Sequence, residues 1–181
     1  MLEGKNVNLR LAEQEDMDFL VECRNNLVYS EYDSVTQVSR TERMREFNNP
    51  SQLETSLETT RFVIEKKDKT KIGRIAHWFV LPNKYMEIGY LVIPKERNKK
   101  YGIEAVQIIL DYLFLSRPLC RIQAMTDTRN LPSQKVLEKS GFKQEGIVRR
   151  SAFVRGEWVD ACLYGILREE WKEPKILTKT T

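Results

Sequence analysis

The sequence predicts a single α/β domain in which most of the sheet is antiparallel. Its 181 residues suit one domain, because domains commonly contain roughly 100–200 residues. Several short segments alternate apolar and polar residues as half-buried strands do, and segments with helical spacing lie between them. Three of the strand segments are separated only by short polar connections, which is typical of antiparallel hairpins. We therefore predict one domain over residues 1–181, without internal repeats.

The amino-terminal part opens with a strand and a helix. Residues 7–11 alternate as a half-buried strand, and Asp16 or a neighbour can start a helix from Met17 to Cys23. The chain from residue 25 to residue 60 is polar and weakly patterned. It contains two helical candidates, residues 41–47 and residues 52–59.

Three consecutive strands follow. They are predicted over residues 61–65, 71–80 and 85–93. The connections between them have hairpin length, so the three strands should form an antiparallel meander. The third strand stops at Pro94, which cannot donate a ladder hydrogen bond.

The strongest helical pattern comes after the meander. The apolar residues that recur on one face of this helix are Ile103, Val106, Ile109, Leu110, Leu113 and Phe114. Their spacing of three and four residues predicts a helix with one buried face. Residues 121–126 then predict another strand.

The chain closes with a helix and two strands. Asn130 and Pro132 are typical of a helix start, and Gly141 is typical of a left-handed helix end. Residues 142–150 and 158–167 predict two strands joined by a turn at Arg155-Gly156-Glu157.

Composition excludes several classes of protein. The net charge is +4, and the basic residues are interspersed with acidic ones, whereas nucleic-acid binders usually cluster theirs. Cys23, Cys120 and Cys162 lie far apart without metal-ligand spacing, so we expect no metal site, no disulfide framework and a reducing cytoplasmic location. No apolar run approaches the roughly 18 residues that suggest a membrane helix, so we expect a soluble protein.

A basic loop precedes the strongest helix. It reads Glu96-Arg97-Asn98-Lys99-Lys100-Tyr101-Gly102. A helix amino terminus offers unpaired N–H groups and partial positive charge, so basic side chains beside it can form a phosphate or pyrophosphate site. A solvated basic loop with no ligand is the alternative that charge alone leaves open.

Two motifs together resemble the GNAT superfamily of N-acetyltransferases. The basic loop is similar to the family's Q/R-x-x-G-x-G/A loop, with Arg97 first, Gly102 last and Lys100 at the usual middle glycine. If φ is positive at Lys100, the side chain costs of order 1 kcal/mol. Downstream, Asn130 to Phe142 resemble the family's N-x-x-S-x-x-x-L-x-x-x-G-F segment.

The resemblance covers nearly the whole chain and is greatest to the ribosomal-protein alanine acetyltransferase (RimJ/RimL-like) branch. Leu9-Arg10, the segment from Glu87 to Tyr90, and the segment from Leu163 to Leu167 with Trp171 carry it. The resemblance implies the GNAT fold, a mixed, mostly antiparallel twisted sheet with helices on both faces that splays after Ile93 to admit acetyl-CoA. A homodimer is plausible from the same resemblance.

The resemblance also implies the donor site. The residues expected to contact acetyl-CoA are Leu91, Val92, Ile93, Arg97, Asn98, Lys99, Lys100, Tyr101, Gly102, Ile103, Asn130 and Ser133. The first three would pair their backbone with the pantetheine amides as an added strand does. The N–H groups from Asn98 to Ile103 would hold the pyrophosphate, and Asn130 would orient the pantetheine arm. Asn130 and Ser133 are also preferred residues around a helix start, which is their plainer role.

Acetyl transfer to an amine needs a base and a means of stabilising the departing thiolate. Glu87 is the candidate base, because the family often uses a glutamate here through water; an outward carboxylate paired with Lys or Arg is the alternative. Ser133 is the candidate donor to sulfur, and Tyr164 competes for that role or packs in the core. We expect the lone histidine, His77, to be structural.

The acceptor is the least determined part of the prediction. An α-amine, with a pKa of about 7.7–8.0, is far more often neutral at pH 7 than a lysine side chain near about 10.4, so it demands less of the base. By the resemblance, the expected acceptor is a protein N-terminal α-amine, such as that of a ribosomal protein. Glu31, Tyr32 and Asp33 lie where the family builds its acceptor pocket, or are simply solvated. The alternatives are a polyamine or aminoglycoside acceptor, or a non-catalytic acyl-CoA sensor or scaffold.

Overall fold

The computed structural model describes residues 1–34, 36–48, 59–80 and 85–177. The strands are β1 (Leu2–Glu3), β2 (Val7–Leu11), β3 (Thr60–Lys66), β4 (Lys71–Val80), β5 (Tyr85–Val92), β6 (Arg121–Asp127), β7 (Lys143–Val154) and β8 (Glu157–Leu167). The helices are α1 (Met17–Asn25), α2 (Arg40–Asn48), α3 (Tyr101–Ser116), α4 (Leu131–Ser140) and α5 (Arg168–Trp171). No helix in these ranges is long and apolar enough to cross a membrane.

The described strands form one mixed sheet in the order β1-β2-β3-β4-β5-β6-β8-β7. All neighbouring pairs are antiparallel except β5 and β6, which are parallel because the chain crosses over through α3. That parallel pairing is short, since it joins only Met86 to Ile122 and Glu87 to Gln123. The two strands therefore separate beyond Glu87, so the expectation that the sheet splays after Ile93 is wrong by six residues.

Helices cover both faces of the sheet. The apolar side of α3 packs with Ile64 of β3 in the main core, whereas Met17 and Leu20 of α1 pack on Val63. Adjacent strand residues point to opposite faces, so α3 and α1 lie on opposite sides. We call these the α3 face and the α1 face.

The ends of α3 and α4 follow the local sequence. Asn130 accepts a hydrogen bond from the N–H of Ser133 at the start of α4, and Gly141 has a φ of 105° at its end. Glycine adopts this left-handed conformation without strain. The β7–β8 turn likewise uses positive φ at Arg155 and Gly156, as tight hairpins require.

The sequence predictions of the strands and of the described helices are confirmed, with boundaries shifted by a few residues. The antiparallel meander and the strong helix are present, and β7 extends four residues past the predicted Arg150. Strand β1 and helix α5 were not predicted. The helical candidate over residues 52–59 lies almost entirely outside the described residues.

An unpredicted contact fixes the carboxyl-terminal segment. The buried Asp111 of α3 accepts hydrogen bonds from the indole Nε1 of Trp171 at 2.8 Å and from the backbone N–H of Ile176 at 2.7 Å. The N–H groups of Lys175 and Leu177 also donate to this carboxylate. A buried carboxylate needs such donors, so α3 and the end of the chain stabilise one another.

Candidate active site

The separation of β5 from β6 leaves unpaired backbone on one side of β5. The N–H of Ile93 donates to the carbonyl of Ile72 at 2.9 Å, so Ile93 faces β4. Residues of an antiparallel ladder alternate between facing the partner strand and facing away. The backbone groups of Tyr90 and the N–H of Val92 therefore point, without a strand partner, into the space between β5 and β6, whereas the Val92 carbonyl accepts a hydrogen bond from Arg97 and the groups of Leu91 point to β4. A ligand with amide groups can add to β5 here as an extra strand.

The basic loop turns sharply into α3 beside this space. A short 3-10 turn, Pro94–Glu96, leaves the strand, and both Asn98 and Lys100 are left-handed, with φ values of 62° and 66°. Lys100 is thus in the conformation that the usual glycine would adopt without strain. The ammonium of Lys99 pairs with Glu96 at 2.9 Å. Asn98, Lys99 and Lys100 are exposed beside the amino end of α3, which is the arrangement that the predicted anion site requires.

Arg97 holds this loop in place through its side chain. Its Nε donates to the carbonyl of Val92 at 3.0 Å, and its terminal nitrogen donates to the carbonyl of Tyr29 at 3.2 Å. The guanidinium therefore links the end of β5 to the segment after α1. Its role in the structure is to shape the site, and the loop backbone is what faces a ligand.

The first turn of α3 packs closely on its neighbours. A Cβ at Gly102 would lie 3.7 Å from methyl groups of Val92 and Val136, which is ordinary contact distance. Tyr101 packs on the core, and Ile103 is half-buried. The helix start is therefore packed against β5 and α4. A methyl group at position 102 fits beside the two valines, whereas a longer side chain would have to displace them.

Glu87 lies where β5 and β6 separate. Its half-buried carboxylate accepts a hydrogen bond from the amide Nε2 of Gln123 at 2.6 Å. Burial raises the pKa of Glu87 above its usual value, and the Gln123 bond opposes that rise. Among the described residues no Lys or Arg lies within ion-pair distance of it. A carboxylate with a raised pKa and no cationic partner suits a general base.

Ser133 and Tyr90 meet across the space between β5 and α4. The phenol oxygen of Tyr90 lies 2.9 Å from Ser133 Oγ and donates to the Ser133 carbonyl at 3.1 Å. Burial raises the pKa of Tyr90 well above its ordinary range, so the phenol stays protonated. Asn130 uses its Oδ1 to cap α4 at 3.2 Å from Ser133 N, as the plainer reading of its sequence expects. These groups surround the backbone of β5 that is free to bind a ligand.

Two other sequence candidates lie away from this space. Tyr164 is fully buried and donates to Glu138 at 3.1 Å; burial and that bond raise its pKa to about 12. His77 is fully buried on the α3 face between Phe62 and Tyr112, and burial lowers its pKa to about 4. Both side chains are part of the packed core, as the structural reading of each predicts.

The acidic segment after α1 is solvent-facing. Glu31 and Asp33 are exposed and Tyr32 is half-buried. Asp33 lies near enough to Arg74 to influence its charge, but the two do not form an ion pair. Elsewhere in the described ranges, no group of three His, Cys, Asp or Glu residues could hold a metal ion.

Sequence reasoning missed Gln123 and Tyr90 as site residues. Gln123 is a buried polar residue in a strand, and this fact alone does not reveal its contact with Glu87. Strand alternation puts Tyr90 on the face opposite Glu87, and its bond to α4 depends on tertiary packing. A buried polar side chain needs a hydrogen-bond partner, which is the one signal that marks Gln123 before the fold is known.

Comparison with known proteins identifies the kind of site that this is. A model of the acetyltransferase (GNAT) domain matches residues 6–143. The uncharacterized N-acetyltransferase YnaD of Bacillus subtilis is 37% identical over 109 residues, covering 60% of this chain and 64% of that protein. The uncharacterized N-acetyltransferase p20 of Bacillus licheniformis is 29% identical over 174 residues, covering 94% and 97%.

A solved structure shares the fold at lower identity. The spermidine N-acetyltransferase of Vibrio cholerae, in complex with CoA and spermine, superposes with a TM-score of 0.81. It is 22% identical, and the match covers 92% of this chain and 98% of that one. At this identity the likeness establishes the shared architecture.

Proposed function

Because the chain belongs to the GNAT acetyltransferase family, which uses acetyl-CoA, we propose that it transfers acetyl directly to the α-amine of a protein N-terminus. The family fixes the donor and the type of reaction. The acceptor and the roles of individual residues are the proposed part. Ribosomal proteins are the first acceptors to test, because the sequence resembles that branch of the family.

The observation that carries the proposal is the position and environment of Glu87. The carboxylate lies at the point where β5 leaves β6, oriented by Gln123, with a pKa raised by burial. A base works best when its pKa approaches that of the group it deprotonates. An α-amine near about 7.7–8.0 is better matched to a carboxylate of raised pKa than a primary alkylamine near about 10.4.

The donor site follows from the free edge of β5 and the start of α3. The backbone of Tyr90 and the N–H of Val92 supply hydrogen-bonding groups for the pantetheine amides, and the N–H groups after Asn98 receive the pyrophosphate. Arg97 fixes the two parts relative to one another through Val92 and Tyr29. This arrangement binds the donor largely through backbone.

The transfer itself needs no covalent enzyme intermediate. The amine nitrogen attacks the thioester carbon, the new C–N bond forms, and the C–S bond breaks. Glu87 receives the amine proton through water. When the Tyr90 hydroxyl donates to Ser133 Oγ, the single Ser133 proton is free to form a hydrogen bond to the departing thiolate. The amine loses one proton and the thiolate finally takes up one, so the reaction balances and yields an amide and free CoA.

A polyamine acceptor is the second candidate, because the structural neighbour from Vibrio cholerae acts on spermidine and binds spermine. A panel of amines separates the two. Initial rates with saturating acetyl-CoA are measured for short peptides, including ribosomal-protein N-termini, for the same peptides with a blocked N-terminus, and for spermidine and an aminoglycoside. We expect turnover of the free peptides and none of the blocked ones. Turnover confined to spermidine or the aminoglycoside would refute the proposed acceptor.

A further inference from the structure

The α1 face carries two arginines beside the path that leads to Glu87. Arg74 of β4 pairs in register with Leu91 of β5, and Arg61 of β3 pairs with Ala76. Strand alternation places both side chains on the same face as Glu87, because Leu91 is four residues from Glu87 and Ala76 pairs with Gly89. The backbone between the arginines and Glu87 is therefore that of Ala76 and Gly89, and the Trp78 indole, on the same face opposite Glu87, lies over Gly89.

Neither arginine has an ionic partner among the residues that the structure describes. Both are partly buried, yet neither forms an ion pair or a side-chain hydrogen bond within the described ranges. This contrasts with Arg10, which binds Asp16 through two hydrogen bonds of 2.9 Å. In the described part of the chain, no guanidinium nitrogen of Arg61 or Arg74 is among the buried atoms without a partner, so these groups stay accessible to an anionic ligand, which their planar donors can bind.

The surroundings of the pair are themselves cationic. Burial lowers the pKa of Arg74 and of Arg61, and the neighbouring Arg43 lowers both further. Arg43 pairs with Glu46 at 2.7 Å, but its Nε is buried without a hydrogen-bond partner. Asp33 and Glu46 are the acids that act on these groups. Counted over the described residues alone, positive charge is in excess on this part of the α1 face.

The thiol beside Arg74 does not supply the missing anion. Burial raises the pKa of Cys23 to about 12, so the group is neutral at physiological pH. The cluster therefore offers guanidinium groups to an incoming ligand and repels a cationic one. A polyamine, with several positive charges, is the acceptor that this surface disfavours most.

The separation between the arginines and Glu87 limits the size of the ligand. Two strand spacings of about 4.8 Å and a rise of about 3.3 Å per residue put the Cα atoms of Arg61 and Glu87 about 12 Å apart. Both side chains are long and flexible, so they can shorten the gap that a ligand bridges. In a free α-amino acid the amine and the carboxylate are attached to the same carbon, so the distance between them is too short to bridge this gap. Two extended residues span about 7 Å, which suits an acidic side chain on the second residue of a peptide.

We infer that Arg61 and Arg74 bind a carboxylate of the acceptor, and that the preferred acceptor is a protein N-terminus with Asp or Glu at its second position. The inference rests on the proposed function, since it assumes that Glu87 receives the proton of an α-amine. The paired guanidinium donors match the planar carboxylate and fix the peptide so that its amine reaches Glu87.

The test compares two peptides that differ by one group. Peptides beginning Ala-Glu and Ala-Gln, identical elsewhere, are assayed at saturating acetyl-CoA and low ionic strength. The wild-type protein should acetylate the Ala-Glu peptide with a kcat/KM at least about tenfold higher, mainly through a lower KM. Raising the salt concentration should reduce the ratio, since surface charge interactions are screened.

Arginine variants link the preference to these residues. Arg61→Gln and Arg74→Gln should each bring the ratio toward one without changing the affinity for acetyl-CoA, and Arg61→Lys should restore part of it. Arg61→Glu should invert the preference in favour of an Ala-Lys peptide. Arg149→Gln, an exposed arginine on β7, is the matched control and should leave the ratio unchanged. If Arg74→Gln does not fold, the Arg61 series alone decides.

The possible failures are distinguishable. Equal kcat/KM values for the two peptides in the wild-type protein overturn the inference and leave the proposed function intact. A preference that survives both Arg61→Gln and Arg74→Gln overturns the assignment to these arginines. Turnover of spermidine with neither peptide acetylated overturns the proposed function and the inference together.

Discussion

The buried His77 makes the stability of the fold depend on pH. Both ring nitrogens are buried without a hydrogen-bond partner among the described residues, and burial lowers the pKa to about 4. The unfolded chain has the ordinary histidine pKa of about 6.5. Below about pH 6.5 the imidazole is protonated in the unfolded state but stays neutral in the folded state until the pH approaches about 4. The free energy of unfolding therefore falls as the pH falls.

The size of the effect follows from the two pKa values. The difference between a pKa of about 6.5 in the unfolded state and about 4 in the folded state lowers the free energy of unfolding by about 3 kcal/mol once the pH is below both values. About 2 kcal/mol of this is lost between pH 7 and pH 5. Replacing His77 with Leu removes the titrating group and keeps an apolar contact with Phe62 and Tyr112. The variant should lose less stability than the wild-type protein between pH 7 and pH 5.

Urea unfolding at several pH values measures this difference. Glu87 acts in the opposite direction in the same range, because its raised pKa favours the protonated folded state at low pH. Both proteins contain Glu87, so the difference between them isolates His77. NMR of the chain's one histidine reports its pKa directly. A pKa near 6.5, or parallel pH dependence in the two proteins, would refute the reasoning.

Three further predictions concern the loop and the core. Lys100→Gly should raise the free energy of unfolding by up to about 1 kcal/mol, since the left-handed backbone suits glycine; a loss of stability in urea unfolding would contradict it. Gly102→Glu should abolish acetyl-CoA binding in calorimetry, whereas Gly102→Ala should retain it because a methyl fits; equal affinities would contradict the site. Asp16→Asn should cost about 3 kcal/mol of stability at pH 7, because Asp16 is fully buried against Arg10 and Lys71. The pKa of Asp16 is lowered to about 2, so the wild-type advantage should fade as the pH falls from about 4 toward 2, and an advantage constant with pH would refute this account.

The fold was predictable where the relevant physics is local. The meander follows from alternation and short polar connections, and α3 follows from apolar residues every three or four positions. The end of α4 follows from Gly141, whose φ is 105°. Strand β1 is only two residues long, so it carries no periodic signal and depends on pairing with β2.

The proposed donor loop and the proposed base follow from motifs, but the contacts that shape them do not. The interaction of Arg97 with Tyr29 joins residues 68 positions apart, and that of Gln123 with Glu87 joins residues 36 positions apart. Such contacts depend on how β5, β6 and α1 pack. The left-handed conformation of Lys100 was likewise open, because the residue type permits either sign of φ and the loop geometry decides.

The unpaired state of Arg61 and Arg74 also becomes visible only in three dimensions. In the sequence they are two of thirty basic residues interspersed among acids. The register of β3, β4 and β5 puts both on the face of Glu87, and no acid in the described part of the chain lies within ion-pair distance of either. Charge counting cannot distinguish this arrangement from a solvated surface.

The most direct test of the central claim is the pH dependence of kcat/KM for Glu87→Gln beside the wild-type protein. The control is Glu3→Gln, an exposed residue at the far edge of the sheet. If Glu87 is the base, the variant should lose about 100-fold or more in kcat/KM. It should also lose the fall in rate at low pH that reports the raised carboxylate pKa, while calorimetry shows unchanged acetyl-CoA binding. A Glu87→Gln rate within about twofold of wild type across the pH range would contradict the account, since general bases contribute at least about 100-fold.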